Sequence, residues 1–250
     1  MLFIELVPRD IDLLIEQAQW ILSTYPQVDG FNIPDIMRLE NRSHDVVARL
    51  LTEGINALPH VRAIDRPIEE TLSLLEPLVA AGLKSVLFIS GDPPVNSDAP
   101  VYDVQVTELI RVVKAKWPAL TVFAASDQYR QSLDAEFLYM DQKLEAGADG
   151  FFSQPFFDLD LAKKFCETYS HTQLYLGSSP VTSEASKKYW ETVNKVSFSD
   201  SFSLSLVDNA VFAKNLYRLA KSYGQHSYDM PIRIDLGAYF SEFLGEDSNA

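Results

Sequence analysis

Several polar residues stand where apolar segments of the chain end, and Asp92 is the clearest example. It follows the mostly apolar run 85–90 and Gly91, and Pro93 and Pro94 come after it. The run has no polar alternation, so it predicts a strand covered on both faces, and the prolines prevent that strand from continuing. Ligands of parallel α/β folds bind at the carboxyl ends of such strands. An aspartate that only caps a turn is the alternative interpretation.

Glu5 lies between Ile4 and Leu6 in the first apolar segment of the chain. A carboxylate among apolar neighbours is unfavourable unless it has a partner or stays protonated. A raised pKa would make Glu5 a usable general acid near neutral pH. The alternative is a structural role, in which Glu5 forms an ion pair with Arg62 or Lys143 inside the fold.

Gln154 is flanked by two aromatic pairs, at 151–152 and 156–157. A polar amide between aromatic walls is suited to bind the hydrogen-bonding edge of a planar heterocycle. A glutamine that satisfies backbone groups at the rim of the fold would leave the same pattern. His60, in the third apolar segment, is by itself more typical of a satisfied core or rim histidine than of a catalytic one.

The elements that must position these residues alternate along the chain as about eight strand-then-helix units. The predicted strands are 2–7, 28–33, 58–64, 85–90, 120–125, 150–157, 173–176 and 232–236. The predicted helices are 9–22, 44–54, 67–81, 103–116, 133–146, 158–169, 183–195, 207–222 and 237–244. This alternation predicts an α/β fold, a single (β/α)8 TIM barrel over residues 1–250, with a frayed tail at about 246–250.

An open doubly wound sheet is the alternative architecture, but that fold usually has a glycine-rich phosphate turn after its first strand. Here Val-Pro-Arg-Asp stands at 7–10, and the serine-rich segment 196–206 is the one low-complexity stretch, predicted to be a long loop or an insertion. On the predicted barrel, the polar residues at strand ends gather on one face. They are Glu5, Asp35, His60, Asp92, Ser126, Asp127, Gln154 and Ser178.

Composition excludes several classes of partner. The net charge of −14 argues against nucleic acid and against an anionic membrane surface. The single Cys166 excludes an internal disulfide and a multi-cysteine metal site. The N-terminus lacks the basic region of a signal peptide, and no apolar run approaches the length of about 20 residues that spans a membrane. We therefore expect a cytoplasmic protein, and the sequence leaves open a homo-oligomer or a partner protein.

Three segments together resemble the methylenetetrahydrofolate reductase family in both order and spacing. They are His-Val-Arg-Ala-Ile-Asp at 60–65, the segment 82–94 that contains Ser-Gly-Asp-Pro-Pro, and the segment 143–158 that contains Gly-Ala-Asp and Gln-Pro-Phe-Phe-Asp. Residues 3–8 and 177–183 also look like the first strand and the seventh-strand loop of that family. The resemblance covers roughly residues 2–185.

The resemblance implies a (β/α)8 barrel that uses NADH or NADPH, normally through FAD, to reduce 5,10-methylenetetrahydrofolate to 5-methyltetrahydrofolate. The ligand would then be a tetrahydrofolate derivative. By resemblance, Glu5 is the acid that helps open the imidazolidine ring of the folate, Asp92 contacts the pterin and tunes the flavin, and Gln154 binds the pterin. His60, Gly91 and Lys143 match family positions near the flavin.

The chain departs from the family most where the flavin would lie. Ser90 replaces the arginine that usually precedes the Gly-Asp pair, and 124–130 has lost the tyrosine and histidine of the Ala-Ala-Tyr-Pro-Glu-x-His motif. On the helix that follows, Glu136, Tyr139 and Gln142 replace the usual Asp, Asn and Arg.

These changes predict weak or absent FAD binding, unless Tyr129 and Arg130 have moved into the vacated space and rebuilt the site. Two further departures lie elsewhere: residues 31–36 lack the Ser-Val-Thr-Tyr-Gly pattern, and Glu184 stands where the family has phenylalanine. The second functional hypothesis is accordingly a folate-binding or partner-binding paralogue without redox activity. A third is a different barrel enzyme that handles a methyl or methylene group.

Overall fold

Eight parallel strands form a closed barrel in chain order, as a computed structural model shows, and this confirms the predicted (β/α)8 fold. The structure describes residues 1–93 and 99–245, so Pro94 and the predicted tail at 246–250 lie outside the described residues. The strands are β1 Leu2–Glu5, β2 Gly30–Ile33, β3 Ala57–Arg62, β4 Ser85–Ile89, β5 Thr121–Ser126, β6 Gly150–Pro155, β7 Gln173–Ser178 and β8 His226–Asp229.

Helices follow the strands in the order that a (β/α)8 barrel requires. Those in the described ranges are α1 Ile11–Thr24, α2 Ser43–Thr52, α3 Ile68–Ala80, α4 Val106–Lys116, α5 Leu133–Glu145, α6 Leu159–Thr168, α7 Glu184–Thr192, α8 Leu206–Ser222 and α9 Leu236–Leu244. Within 1–93 and 99–245, no helix is both long and apolar enough to cross a membrane.

The interior of the barrel is filled by a layer of mostly aromatic side chains from alternate strand positions. Its members are Phe3, Leu58, Leu87, Phe123, Phe152, Tyr175 and Tyr228. Because side chains alternate between the two faces of a strand, the residue two places further on also points inward. On three of these strands that residue is Glu5, His60 or Gln154. The fold therefore places a polar layer, formed by Glu5, His60 and Gln154, next to the aromatic layer, at the carboxyl ends of the strands.

The last strand differs from the prediction. The alternation of Ile232, Ile234 and Leu236 predicts a strand over 232–236, but β8 is the polar segment His226–Asp229. Its register with both neighbours closes the barrel, since Asp229 pairs with Ile4 of β1 and with Ser178 of β7. The prediction was wrong because the outward positions of β8 hold Ser227 and Asp229 instead of apolar residues, and Asp229 is held by hydrogen bonds to other elements.

Asp229, on the outward face of β8, is held by residues of β7 and α9. Asp229 is fully buried, and one carboxylate oxygen accepts hydrogen bonds from Ser178 Oγ at 2.6 Å and Tyr239 Oη at 2.9 Å. Residues 230–235 instead form the turn into α9, in which Arg233 adopts a left-handed backbone with φ of 57°.

The long loop between α7 and α8 has no regular structure over 193–205, which confirms the predicted loop at 196–206 apart from its last residue. It is held by aromatic packing, with Phe198 and Phe202 against Phe157 of the loop after β6. Trp190 of α7 packs on the same ring at 5.3 Å between ring centroids. This cluster therefore lies next to the carboxyl end of β6.

Candidate functional site

A cavity of about 400 Å³ opens at the carboxyl ends of the strands, and its volume suits a small organic ligand. Its walls include the six residues to which the sequence assigned catalytic or binding roles, namely Glu5, His60, Gly91, Asp92, Lys143 and Gln154. Side chains along β1, β3 and β6 alternate between the two faces of the strand, and this alternation points Glu5, His60 and Gln154 into the cavity. The loop after β4 and the helix α5 supply the remaining three residues.

The β1–β3 wall of the cavity presents Glu5 and His60, and the fully buried Asn32 contacts both of them. Asn32 Nδ2 donates to Glu5 Oε2 at 2.8 Å and lies 3.2 Å from His60 Nε2. The carboxyl and imidazole groups themselves are 3.9 Å apart. The structural alternative, an ion pair of Glu5 with Arg62 or Lys143, is wrong, because both cations have other partners described below.

Burial keeps the β1–β3 wall uncharged at neutral pH. It raises the pKa of Glu5 to about 8, an effect that the Asn32 hydrogen bond opposes and the nearby charge of Asp229 increases. Burial also lowers the pKa of His60 to about 4, so the imidazole stays neutral. Burial raises the pKa of Asp229 to about 7. Glu5 is therefore a protonated acid with access to the cavity, which is the state that a general acid requires.

The loop that carries Gly91 and Asp92 is fixed by Arg62. The Arg62 guanidinium donates from Nε to Asp65 at 2.9 Å and from Nη2 to the backbone oxygen of Asp92. Gly91 has φ of +85°, and a Cβ there would lie 3.0 Å from Arg62 Cζ, so a larger residue would be strained and crowded. The exposed Asp92 side chain is thus held at the rim of the cavity.

A second arginine extends this network away from the cavity. Arg42 donates two hydrogen bonds of 2.7 Å to the carboxylate of Asp35 and one of 2.7 Å to Asp65. Asp35 lies at a strand end as expected, but it braces the loops and does not line the cavity. Ser178 is likewise outside the cavity, because its side chain points outward to Asp229.

Gln154 presents a free amide to the cavity. Its backbone oxygen accepts from Gln128 Nε2 at 2.8 Å, whereas its side chain has no hydrogen bond within the described part of the chain. The Gln154 amide is therefore available to a polar ligand.

The β5–α5 wall consists of Asp127, Arg130, Glu136 and Lys143, and Arg130 and Glu136 form an ion pair within it. Glu136 is fully buried, and its carboxylate accepts from the backbone N–H of Asp127 at 3.0 Å and from Arg130 Nη2 at 3.1 Å. Lys143 Nζ donates to the backbone oxygen of Ala125 at 2.7 Å, and burial lowers the pKa of Lys143 to about 8. The same ammonium lies 3.8 Å from the centre of the Tyr139 ring.

This wall does not fit the pyrophosphate of FAD. That group carries about two negative charges and needs free cations or N–H groups. Arg130 is paired with Glu136, Lys143 is bound to a carbonyl oxygen, and two carboxylates stand beside them. Tyr129 has not moved into the vacated space, since its hydroxyl donates to the backbone oxygen of Pro155 at 3.0 Å and it does not line the cavity.

Two residues that influence Glu5 were not found from the sequence. Asn32 lies in a segment noted only for lacking a family pattern, and Asp229 lies in a strand that was assigned elsewhere. A pairing argument would have found Asn32, because its position in β2 is opposite Glu5 in β1. No local pattern marks Asp229, whose role depends on the closure of the barrel.

Comparison with known proteins supports the family resemblance that the sequence motifs indicated. Residues 32–207 match the family model for methylenetetrahydrofolate reductase. The 5,10-methylenetetrahydrofolate reductase of Salmonella typhimurium is 24% identical over 127 residues, which cover 50% of this chain and 43% of that protein. Methylenetetrahydrofolate reductase 2 of Saccharomyces cerevisiae is 28% identical over 143 residues, covering 52% and 24%. The aligned region is thus less than half the length of these relatives.

Among solved structures, a protein from Clostridium thermocellum has the same fold with a TM-score of 0.64. It is 13% identical, and the match covers 98% of this chain and 94% of that one. That protein is described as uncharacterized and as binding two copies of 5-methyl-5,6,7,8-tetrahydrofolic acid. At this identity the likeness shows the barrel fold alone.

Proposed function

Because the chain belongs to the methylenetetrahydrofolate reductase family, we propose that its cavity binds a reduced folate and that it reduces 5,10-methylenetetrahydrofolate to 5-methyltetrahydrofolate with NADH or NADPH. The observation that carries this proposal is the buried, protonated carboxyl of Glu5 in the same cavity as the free amide of Gln154. The C. thermocellum protein of the same fold, which binds 5-methyltetrahydrofolate, supports the ligand class.

The proposed reaction needs one proton and one hydride. Glu5 donates its proton to N10 of the folate as the bond between N10 and the methylene carbon breaks, and the electron pair of that bond stays on N10. The resulting iminium carbon accepts a hydride from the reduced nicotinamide, which is thereby oxidised. A buried acid with a pKa of about 8 is protonated at neutral pH and regains its proton from solvent after each turnover.

The pterin ring is the part of the folate that the free polar groups of the cavity would bind. Its edge carries both hydrogen-bond donors and acceptors, and a glutamine amide can satisfy one of each. In this proposal Gln154 and Asp92 bind the pterin edge. His60, neutral and next to Asn32, orients Glu5 rather than transferring a proton itself.

The proposal contains no flavin step, because the β5–α5 wall does not fit FAD. The hydride donor is the nicotinamide cofactor itself, and Gly91 and Lys143 then shape the cavity beside the folate rather than hold a flavin. A resident flavin would need the Glu136 and Arg130 pair to separate, which leaves a fully buried carboxylate without its charged partner.

A second candidate function is a folate-binding protein without a redox step. The self-paired β5–α5 wall favours it, because this is where family members hold the redox group that the resemblance implies. Such a protein would use the β1–β3 wall and Gln154 for binding only.

Two measurements test the proposal together. The first is oxidation of NADH or NADPH with 5,10-methylenetetrahydrofolate, with and without added FAD. The second is calorimetric titration with 5-methyltetrahydrofolate. Turnover with folate binding supports the reductase, and binding without turnover supports the second candidate. A protein that neither binds the folate nor turns over would contradict both.

A further inference from the structure

Asn32 holds a buried amide between the two polar residues of the β1–β3 wall. Its Nδ2 donates to Glu5 Oε2 at 2.8 Å and lies 3.2 Å from His60 Nε2. Strand register produces this arrangement, because Asn32 pairs with Glu5 on one side and with Leu58 on the other, and His60 lies two places beyond Leu58 on the same face. Since Asn32 is fully buried, bulk water does not compete for either contact.

The two hydrogens of this amide decide which atoms of its neighbours carry protons. An amide nitrogen donates and does not accept, so each atom that it contacts must offer a lone pair. A neutral imidazole has one N–H and one lone pair, and with the lone pair of His60 on Nε2 its hydrogen lies on Nδ1. In the same way, Oε2 is the unprotonated oxygen of the Glu5 carboxyl group, and the proton lies on Oε1.

Oε1 is the oxygen of Glu5 that remains for a ligand. Glu5 lines the cavity, and Oε1 has no hydrogen bond within residues 1–93 and 99–245. The opposite orientation of the Asn32 amide would have Oδ1 accept from the Glu5 O–H and from His60 Nε2–H, and the acid proton would then point into the wall. In the structure, Oδ1 has no hydrogen-bond partner in the described part of the chain.

We propose that Asn32 is the positioning residue of the acid: its amide holds His60 in the Nδ1–H tautomer and directs the Glu5 proton to Oε1, toward the folate. A proton that is shared with the wall is not free for transfer, so the orientation of this amide sets how readily the acid reacts. His60 orients Glu5 through the same amide, because its lone pair fixes the second amide hydrogen. The inference rests on the proposed function, in which Glu5 protonates the folate.

Nitrogen-15 NMR of labelled histidine rings tests the tautomer without any ligand. The chain has four histidines, and H60Q identifies the His60 signals by their loss. We expect wild-type protein at neutral pH to show a neutral His60 with its hydrogen on Nδ1. N32L keeps the approximate size of the side chain and removes both donors, so the Nε2–H form should appear. N215L, the same change on the exposed surface of α8, is the matched control and should leave the His60 signals unchanged.

Steady-state kinetics provide a second readout. N32L should lower kcat about tenfold with little change in KM for the folate, because Asn32 acts on the acid and does not bind the ligand. The Asn32 hydrogen bond favours the ionised form of Glu5, so its loss raises the pKa of Glu5. The other titratable groups near Glu5 are unchanged in this variant, namely His60, Tyr228 and Asp229. The alkaline midpoint of kcat/KM should therefore move up by about half a pH unit, whereas a merely structural role would leave it in place.

Wild-type His60 with its hydrogen on Nε2 would overturn the inference, because Asn32 would then be the acceptor, and the proposed function would stand if the protein turns over. N32L that keeps both the wild-type tautomer and the wild-type alkaline midpoint would also overturn it. Wild-type protein that neither binds nor reduces the folate would contradict the proposed function instead, and the NMR spectrum would still confirm or reject the tautomer.

Discussion

The two walls of the cavity differ in what their polar groups bind. On the β1–β3 wall, Glu5 and His60 are neutral, and they contact each other only through Asn32. On the β5–α5 wall, Glu136 and Arg130 are charged and form an ion pair. The first wall leaves an acid available to a ligand, whereas the second satisfies its own charges.

Under the proposed function, the barrel has the acid of the family site on one wall and no place for the flavin on the other. A protonated buried acid needs only burial and one hydrogen-bond donor, which the strand ends of β1 and β2 provide through their pairing. A pyrophosphate site needs several free cations at once, so a few substitutions on α5 and the loop before it remove it. The comparison predicts that changes on the first wall affect chemistry and that changes on the second affect flavin affinity.

The largest effect is expected from Glu5→Gln, which keeps the shape and hydrogen bonding of the side chain but removes the proton that it donates. Steady-state turnover should fall by about 10²–10⁴ while folate affinity changes little. E53Q, at the exposed end of α2, is the matched control and should retain full activity. Full turnover in E5Q would show that the β1–β3 wall does not supply the acid.

Much of this wall followed from the sequence, because it depends on strand ends and alternation. The apolar setting of Glu5 predicted its raised pKa, and the barrel prediction brought Gln154 and His60 to the same face. The partners were not predictable in the same way. Asn32 becomes the neighbour of Glu5 only through strand register, and Asp229 only through closure of β8 onto β1.

The sequence predicted that the β5–α5 wall differs from the family, but it did not predict how the residues of this wall pair. The substitutions at Glu136 and Arg130 were visible as departures from a family pattern, but their pairing depends on the turn that precedes α5. For the last strand, the local sequence pattern was misleading. An alternating apolar pattern at 232–236 looked like a strand, whereas the real β8 is a polar segment whose Asp229 is held by hydrogen bonds that no local pattern reveals.

Gln154→Ala should produce the next largest effect. Loss of the amide removes hydrogen bonds to the ligand, so folate affinity in a calorimetric titration should fall about tenfold. Q142A, on the exposed face of α5, is the matched control. If Q154A binds folate as well as wild-type protein, the pterin does not lie against β6.

A measurement of flavin affinity tests the β5–α5 wall directly. We expect the purified protein to show no flavin absorbance and to bind added FAD weakly, and E136Q to bind FAD about tenfold more tightly, because it removes one carboxylate and frees Arg130. Equilibrium dialysis against FAD measures both. Stoichiometric FAD that copurifies and persists in K143A would show that the wall accommodates the flavin in another way.

The pH profile of the reaction tests whether Asp229 of β8 influences the pKa of Glu5. The acid form of Glu5 is required, so kcat/KM should fall as pH rises above about 8. Asp229 is ionised in that range, and its charge contributes to the raised pKa of Glu5. D229N should therefore move the alkaline midpoint down by about half a pH unit, whereas D45N on the exposed surface of α2 should not. An upward shift or no shift in D229N would contradict this coupling.

The smallest expected effect is on stability, and its sign follows from the same pKa. Folded protein holds a proton on Glu5 up to about pH 8, whereas the unfolded chain releases it near the ordinary value of 4.5. The folded state therefore binds more protons between these values, and the free energy of unfolding must decrease as pH rises through that window.

E5Q has no such proton, and Arg62 keeps its Asp65 partner in this variant, so no buried cation is left unpaired. Relative to wild-type protein, E5Q should gain at least about 4 °C in Tm between pH 5 and pH 9, which corresponds to about 2 kcal/mol for a chain of this size. Because other titrating groups are shared by both proteins, they cancel in the difference. A Tm difference that stays constant with pH would show that the Glu5 carboxyl titrates at its ordinary value and is already ionised at neutral pH, and the first wall would then hold a charge instead of an acid.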